Sequence, residues 1–161
     1  MANTQAMCTS FLGEVLTATH NFGTAPTRGS GAADTFKAAL YLASATVNAA
    51  TTVYSSTGEV TSANYTAGGV AVTNATSPAS TNTSATAGTA YWTPSASIVY
   101  GSVGSPVTFA SFDCVLIYNS TQADKAVSVH TFTAQTVTAG TFTLTMPANT
   151  TSTGLLRLST T

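Results

Sequence analysis

Few side chains in this chain can do chemistry, and they stand far apart. There are two histidines, His20 and His130, two cysteines, Cys8 and Cys114, and five acids, Glu14, Asp34, Glu59, Asp113 and Asp124. Nucleophilic catalysis by serine needs a histidine base beside it and a carboxylate that orients the base. Only His130 with Asp113 or Asp124 could supply that pair, and no G-x-S-x-G elbow presents a serine to it. A hydrogen-bonded strand histidine is the simpler reading. Metal binding needs His, Cys or carboxylate ligands gathered at short spacing, and these residues show none. Any two of five acids would satisfy the loose rule for glycoside hydrolysis, so that pattern carries no weight. The expectation is a protein with no catalytic residues, no metal and no cofactor, and therefore not an enzyme.

The stretch 58–72, GEVTSANYTAGGVAV, holds paired glycines, a carboxylate and an aromatic ring. A loop that cradles phosphate places its glycines just before a helix, usually with a lysine. Here TAGG runs into V-A-V-T, which reads as a strand, and no lysine is near. The T-A-G triplet returns at Thr86-Ala87-Gly88 and at Thr138-Ala139-Gly140, the last before T-F-T-L-T. Shared turn chemistry covers these copies better than a shared ligand, which makes Gly68, Gly69 and Gly140 structural turn residues. Tyr91, Trp92 and Tyr100 could stack on a sugar or base, but burial in a core or interface is the commoner use of such rings.

The elements that would position these residues are mostly strands. Met7, Cys8, Phe11, Leu12, Val15 and Thr19 recur at three- and four-residue spacings, which predicts one helix over 4–20, capped by Asn3 or Thr4 and stopped near Gly23. Residues 24–33 read as a loop. Residues 34–45 are ambiguous: their alanines and leucines favour helix, while Phe36, Ala38, Leu40 and Leu42 alternate as in a half-buried strand, and the β character of everything downstream decides for a strand. Residues 50–54 read as a short helical turn or a loop, and 69–73 as a short strand. Residues 77–88 lack any large apolar side chain and read as an exposed loop. Strands follow at 90–94 and 98–100, with a turn through Gly101, Gly104 and Pro106. The run 109–119 (FASFDCVLIYN) is apolar on both faces, the mark of a strand buried between layers. A polar turn at 119–125 leads to strands at 126–132, 141–146 and 155–158. Short strands at intervals of about 8–12 residues with Gly, Pro and Asn between them indicate a mainly β chain. We therefore expect one domain over 1–161: a helical segment at 1–23 and a β-sandwich, or partly open barrel, at 34–158.

Composition limits the partners. Only 6% of the 161 residues are charged, against roughly 25% in an average soluble domain. So weakly charged a surface must be carried by hydroxyls or covered by other subunits. The net charge is −1, and the basic residues Arg28, Lys37, Lys125 and Arg157 are scattered, so neither nucleic acid nor an anionic membrane is expected. No apolar run reaches the ~18 residues that span a bilayer. The first residues lack a basic segment followed by a long apolar one, so synthesis and folding in a cytoplasm are expected. Two cysteines so far apart read as reduced, buried thiols. Met7, Phe11, Val15, Tyr91 and Trp92 are candidates for an interface with other subunits. An alternative has Tyr91, Trp92 and the 77–88 loop turned outward to bind host glycans.

Laid out in order, the motifs resemble a family of small structural proteins of tailed-phage virions, encoded among head and head–tail genes. The matching runs are K-A-A-L-Y-L (37–42), Y-S-S-T-G-E-V (54–60), N-Y-T-A-G-G-V-A-V (64–72), F-D-C-V-L-I-Y-N (112–119), K-A-V-S-V-H-T-F (125–132) and T-V-T-A-G-T-F-T-L-T-M-P (136–147). The most specific is G-E-V followed five residues later by Y-T-A-G-G. The resemblance implies a virion protein made in the bacterial host cytoplasm, a capsid decoration (cement) or head-associated protein, with a neck or tail subunit as the alternative. Its partners would be the major capsid protein or neighbouring virion subunits, and copies of itself, a trimer being the expected form.

Overall fold

The computed structural model describes residues 2–23, 32–74, 77–83 and 87–159. The elements run β1 (Ala6–Met7), α1 (Thr9–Leu16), β2 (Phe36–Leu42), β3 (Val70–Ala71), β4 (Ala79–Ser80), β5 (Thr89–Trp92), β6 (Ile98–Tyr100), β7 (Val107–Asn119), β8 (Lys125–Gly140), β9 (Phe142–Leu144) and β10 (Leu156–Ser159). They form a five-stranded sheet in the order β1-β8-β7-β2-β3, a three-stranded sheet β10-β5-β4 and a two-stranded sheet β6-β9. Among the described residues the fold is mainly β with one short helix, in a sandwich-like layout of packed sheets and no closed barrel.

The central strands β2 and β7 pair antiparallel from Phe36↔Asn119 to Leu42↔Phe112. Directly opposed residues share a face of the sheet. Phe36 therefore lies on one face with Asn119, and Lys37 on the other with Tyr118. Phe22 stacks on Phe36 at 4.3 Å between ring centres and meets Trp92 at 4.8 Å. The first face is thus closed by the three-stranded sheet and by the segment after α1. On the second face Tyr54 stacks on Tyr118 at 4.8 Å, so irregular chain covers it. At the far end, Phe142 of β9 meets Phe112 edge-on at 4.9 Å. Every residue of β7 from Cys114 to Asn119 is buried, as a strand apolar on both faces requires.

Three features depart from the sequence reading. The helix spans Thr9–Leu16 rather than 4–20, because Ala6 and Met7 instead pair with Val129 and Ser128 of β8. Cys8 stands at the N-cap without a side-chain cap bond, and the chain leaves the helix through Ala18 at φ 54, five residues before Gly23. Asn3 does not cap the helix: its amide donates to Leu42 O and to Asp113 Oδ1, and its carbonyl oxygen accepts from Val47 N–H. The loop placed at 77–88 contains β4, an exposed two-residue edge strand on β5; its residues 84–86, like 24–31 of the earlier loop, lie outside the described residues. The strand placed at 126–132 continues to Gly140, which faces Val107 across the sheet. The residue in the left-handed region there is Ala139 (φ 45), not Gly140, and Thr141 carries the chain into the two-stranded sheet.

Candidate functional site

A buried carboxylate with three donors sits in the stretch that looks like a binding loop. Both ends of that excursion lie along one edge of β2. Gly58–Val60 bonds to its C-terminal half, through Leu42 N–H to Gly58 O and Val60 N–H to Leu40 O. Val70–Val72 bonds to its N-terminal half, where Ala38 faces Val70 and Val72 N–H reaches Phe36 O. Between them residues 61–69 leave the edge, and the ladder is interrupted. Phenols fill the gap: Leu40 N–H donates to the Tyr65 hydroxyl (3.3 Å), and the Tyr100 hydroxyl donates to Ala38 O (3.1 Å). Buried backbone groups need such partners.

Glu59 anchors this arrangement. Its buried carboxylate accepts from Tyr65 (2.5 Å) and Gly68 N–H (2.9 Å) at Oε1 and from Tyr54 (2.6 Å) at Oε2. The Tyr118 hydroxyl closes the loop by donating to Gly68 O at 2.7 Å. Gly68 and Gly69 take φ of 95 and 75. A Cβ at Gly69 would come within 1.9 Å of Ala38 O, so this turn requires glycine twice over, for its conformation and for the close approach. Burial and the Glu59 charge push the Tyr54 and Tyr65 hydroxyls far above the ordinary phenol range, and burial with Asp124 and Glu59 pushes Tyr118 up to about 12. These phenols stay protonated as donors, and the TAGG loop binds an internal ligand, the carboxylate of Glu59.

A second polar chain ties five segments together. Lys125 Nζ donates to Glu14 Oε1, and Glu14 Oε2 lies 2.8 Å from His20 Nε2. The Asn119 amide bridges His20 Nδ1 (3.0 Å) and Asp34 Oδ2 (2.7 Å), while Gln122 and Asn21 N–H also donate to Asp34. Burial raises the Glu14 carboxyl, but bonds from Lys125 and His20 outweigh it and hold it below its ordinary value. This network clamps α1, the start of β2 and the β7–β8 turn.

His130 does not assemble a triad. Its Nε2 lies 2.9 Å from Ser128 Oγ, and among the described residues no carboxylate bonds to its ring. Asp113 accepts from Asn3, and Asp124 is exposed in a turn at φ 56. Burial lowers His130 to about 4, so the ring is neutral and weakly basic at neutral pH. A base this weak without an orienting acid is poorly suited to activate serine. Cys8 and Cys114 are free, buried thiols pushed up to about 11 and about 12 by burial, with Glu14 and Asp113 adding to it, respectively. Among the described residues no group of three or more His, Cys, Asp or Glu could hold a metal. No helix among them is long and apolar enough to cross a membrane.

Of the five interface candidates, the structure brings four together. Phe11, Val15, Tyr91 and Trp92 line one open apolar groove of about 150 Å³ with Phe22 and Leu158. Phe11 and Trp92 form its buried floor at 2% exposure each, while Val15 and Leu158 are exposed at its rim. Met7 lies apart, in a polar cleft with Ser128, His130 and Arg157. Trp92 is covered by Phe22 and its Nε1 donates to Asn74 Oδ1, so its ring is not offered to a sugar. The glycan-binding alternative loses its main residue. Sequence reasoning missed the partners of Glu59 and Glu14; the one visible signal was a lone acid flanked by tyrosines five and six residues away. No family model, curated protein or solved structure matches the chain.

Proposed function

We propose that the chain is a structural protein of a tailed-bacteriophage virion, a capsid decoration (cement) protein that stabilises the assembled head through contacts between subunits. The order of motifs from K-A-A-L-Y-L to T-F-T-L-T-M-P suggests it. The observation that carries it is where the charges go. Four of the five acids are held by internal partners: Glu14 by Lys125, Asp34 by Asn119, Glu59 by tyrosines and Asp113 by Asn3. Asp124 alone stands exposed in a turn. Among the described residues, what remains outside is largely Thr, Ser, Asn and Ala, with Arg157 and exposed aliphatic side chains such as Leu12, Leu16, Val99 and Val103.

Such a surface suits permanent contacts between close neighbours rather than charge-steered, transient ones. A cement protein that binds only the assembled shell stabilises that shell by mass action. Repetition over many equivalent sites multiplies contacts that are individually weak.

Particles with and without the protein provide the test. Removing it is expected to lower the temperature at which heads lose their DNA, and adding it back to restore the wild-type value. Densitometry of purified virions is expected to show on the order of hundreds of copies, as shell symmetry requires. A copy number near six or twelve would move the protein to the neck or tail. Particles whose composition and heat resistance are unchanged by its loss would overturn the reading.

A further inference from the structure

One cation stays outside the inward-turned arrangement. Arg157, on β10, pairs with no acid among the described residues. Its Nη1 donates to Thr151 O (3.4 Å) and Ser152 O (2.8 Å), which holds the turn before β10. A guanidinium carries five N–H donors in a rigid fork, and those on Nη2 and Nε meet no acceptor among the described residues. Arg157 borders a cleft of about 350 Å³ between β1, β8 and β10, which it shares with Met7, Ser128, His130 and Leu155. No acidic residue lines this cleft.

A second group there has a hydrogen to spare. Ser128 is 2% exposed, and its Oγ lies 2.9 Å from His130 Nε2. With the ring neutral, the pair holds two polar hydrogens, one on the imidazole and one on the hydroxyl. The bond between them uses one, whichever way it runs. If the hydroxyl donates, the ring hydrogen sits on Nδ1; if Nε2 donates, the hydroxyl hydrogen is left over. Neither Nδ1 nor Oγ has another partner among the described residues. Enclosed donors are ordinarily matched by an acceptor, from the protein, from water or from a ligand. The cleft therefore offers a fixed positive charge, a surplus donor and no negative charge. Met7 and Leu155, both half-buried, give it an apolar side as well.

We infer that the cleft between β1, β8 and β10 binds a carboxylate borne on a small apolar body, held by the Arg157 guanidinium and by the spare donor of the Ser128–His130 pair. One cation balances a monoanion, whereas a doubly charged phosphate would stay partly uncompensated. The planar fork of arginine also matches the planar carboxylate, two N–H groups to two oxygens. The cleft lies at the small end of the range for small-molecule sites. It has room for more than the carboxylate, and Met7 and Leu155 are what the rest of the ligand would cover. The same chemistry receives a free small acid or the side chain of an Asp or Glu on another polypeptide. This site needs only the present chain, so it stands or falls apart from the virion reading.

Titration of benzoate into the full chain, followed by NMR at neutral pH, tests it. Saturable binding is expected with a Kd of about 1 mM or tighter. The shifts should fall on Ser128, His130, residues 155–159 and the Arg157 Nε–H, and not on Phe11 or Trp92 of the apolar groove. Benzamide, alike in shape but uncharged, is expected to bind about tenfold more weakly or worse, and Arg157→Gln to weaken benzoate by a similar factor. Circular dichroism checks that the variant is folded; should it not fold, the benzoate–benzamide comparison on the wild-type chain decides alone. Inorganic phosphate is expected to bind more weakly than benzoate. N-acetylglutamate N-methylamide separates the two sources of the carboxylate. If it binds more tightly than benzoate, the ligand is a polypeptide side chain; if more weakly, a free small acid; either result supports the site. No saturation by either carboxylate, equal binding of benzamide, tighter binding of phosphate, or shifts confined to the apolar groove would overturn the inference.

Discussion

Remove the Glu59 carboxylate and three donors lose their acceptor at once: the Tyr54 and Tyr65 hydroxyls and Gly68 N–H. Glu59→Gln keeps the shape but turns an amide NH2 toward hydroxyls that are themselves donating. Bonds to a charged acceptor contribute about 1.5–3 kcal/mol each, and a buried donor left unmatched costs a similar amount. We expect Glu59→Gln to lower stability in urea unfolding by about 3 kcal/mol, and Tyr65→Phe by about 2 kcal/mol. The double variant should lose less than the sum, by about 1 kcal/mol, because the two groups share one bond. Strict additivity would show that the phenol and the carboxylate do not act together. At this scale the sequence told little. Glu59 was visible as an isolated acid, but the tyrosines that satisfy it come one from before the excursion and one from within it, and are aligned only by the fold.

Among the elements, the close approach of the excursion to β2 is the most demanding. Gly69→Ala forces a Cβ onto Ala38 O in a backbone region that disfavours side chains. Gly13, in the middle of α1, has no positive φ, and a methyl group there would meet nothing within 4 Å. Thermal unfolding should show Gly69→Ala destabilised by about 3 kcal/mol or more, and Gly13→Ala stabilised by about 0.5–1 kcal/mol. A tolerated Gly69→Ala would mean that the turn and β2 can separate. The strands β2, β7 and β10 were legible because their apolar residues alternate or run continuously, a pattern set by burial on one face or two. The ends of α1 were not. Met7 fits the helical stripe, yet the backbone of β8 offers its neighbourhood a ladder instead, and periodicity does not report hydrogen-bonding opportunity. The same limit hid the reach of β8, whose T-A-G looks like a hairpin turn but only redirects the strand into the next sheet.

For the whole molecule, inward-turned charges make stability a matter of acid rather than salt. His130 is held at about 4 by burial, against 6.5 when free. Above pH 6.5 the ring is neutral in both states and contributes no slope. Between 6.5 and 4 the unfolded chain takes up a proton that the fold refuses, so stability falls with pH, by about 3 kcal/mol over the window. Below 4 this contribution levels off. Glu14, held below its ordinary value, adds a further loss only as pH drops through the carboxylate range. Urea unfolding across pH should therefore show a slope of about one proton between 6.5 and 4. His130→Gln should remove that slope; its persistence would assign it to another group. By contrast, with few exposed charges left, added salt should change stability little.

Trp92 offers a practical return. It is the chain's only tryptophan, and its indole is wedged against Phe22 while its nitrogen is bonded to Asn74. It thus sits where the segment after the helix, the central sheet and the three-stranded sheet converge. Intrinsic fluorescence excited at the indole reports on that single junction without a label, with blue emission while the layers are closed and a red shift as water enters. Separation of the layers can then be timed directly and compared with the loss of backbone circular dichroism.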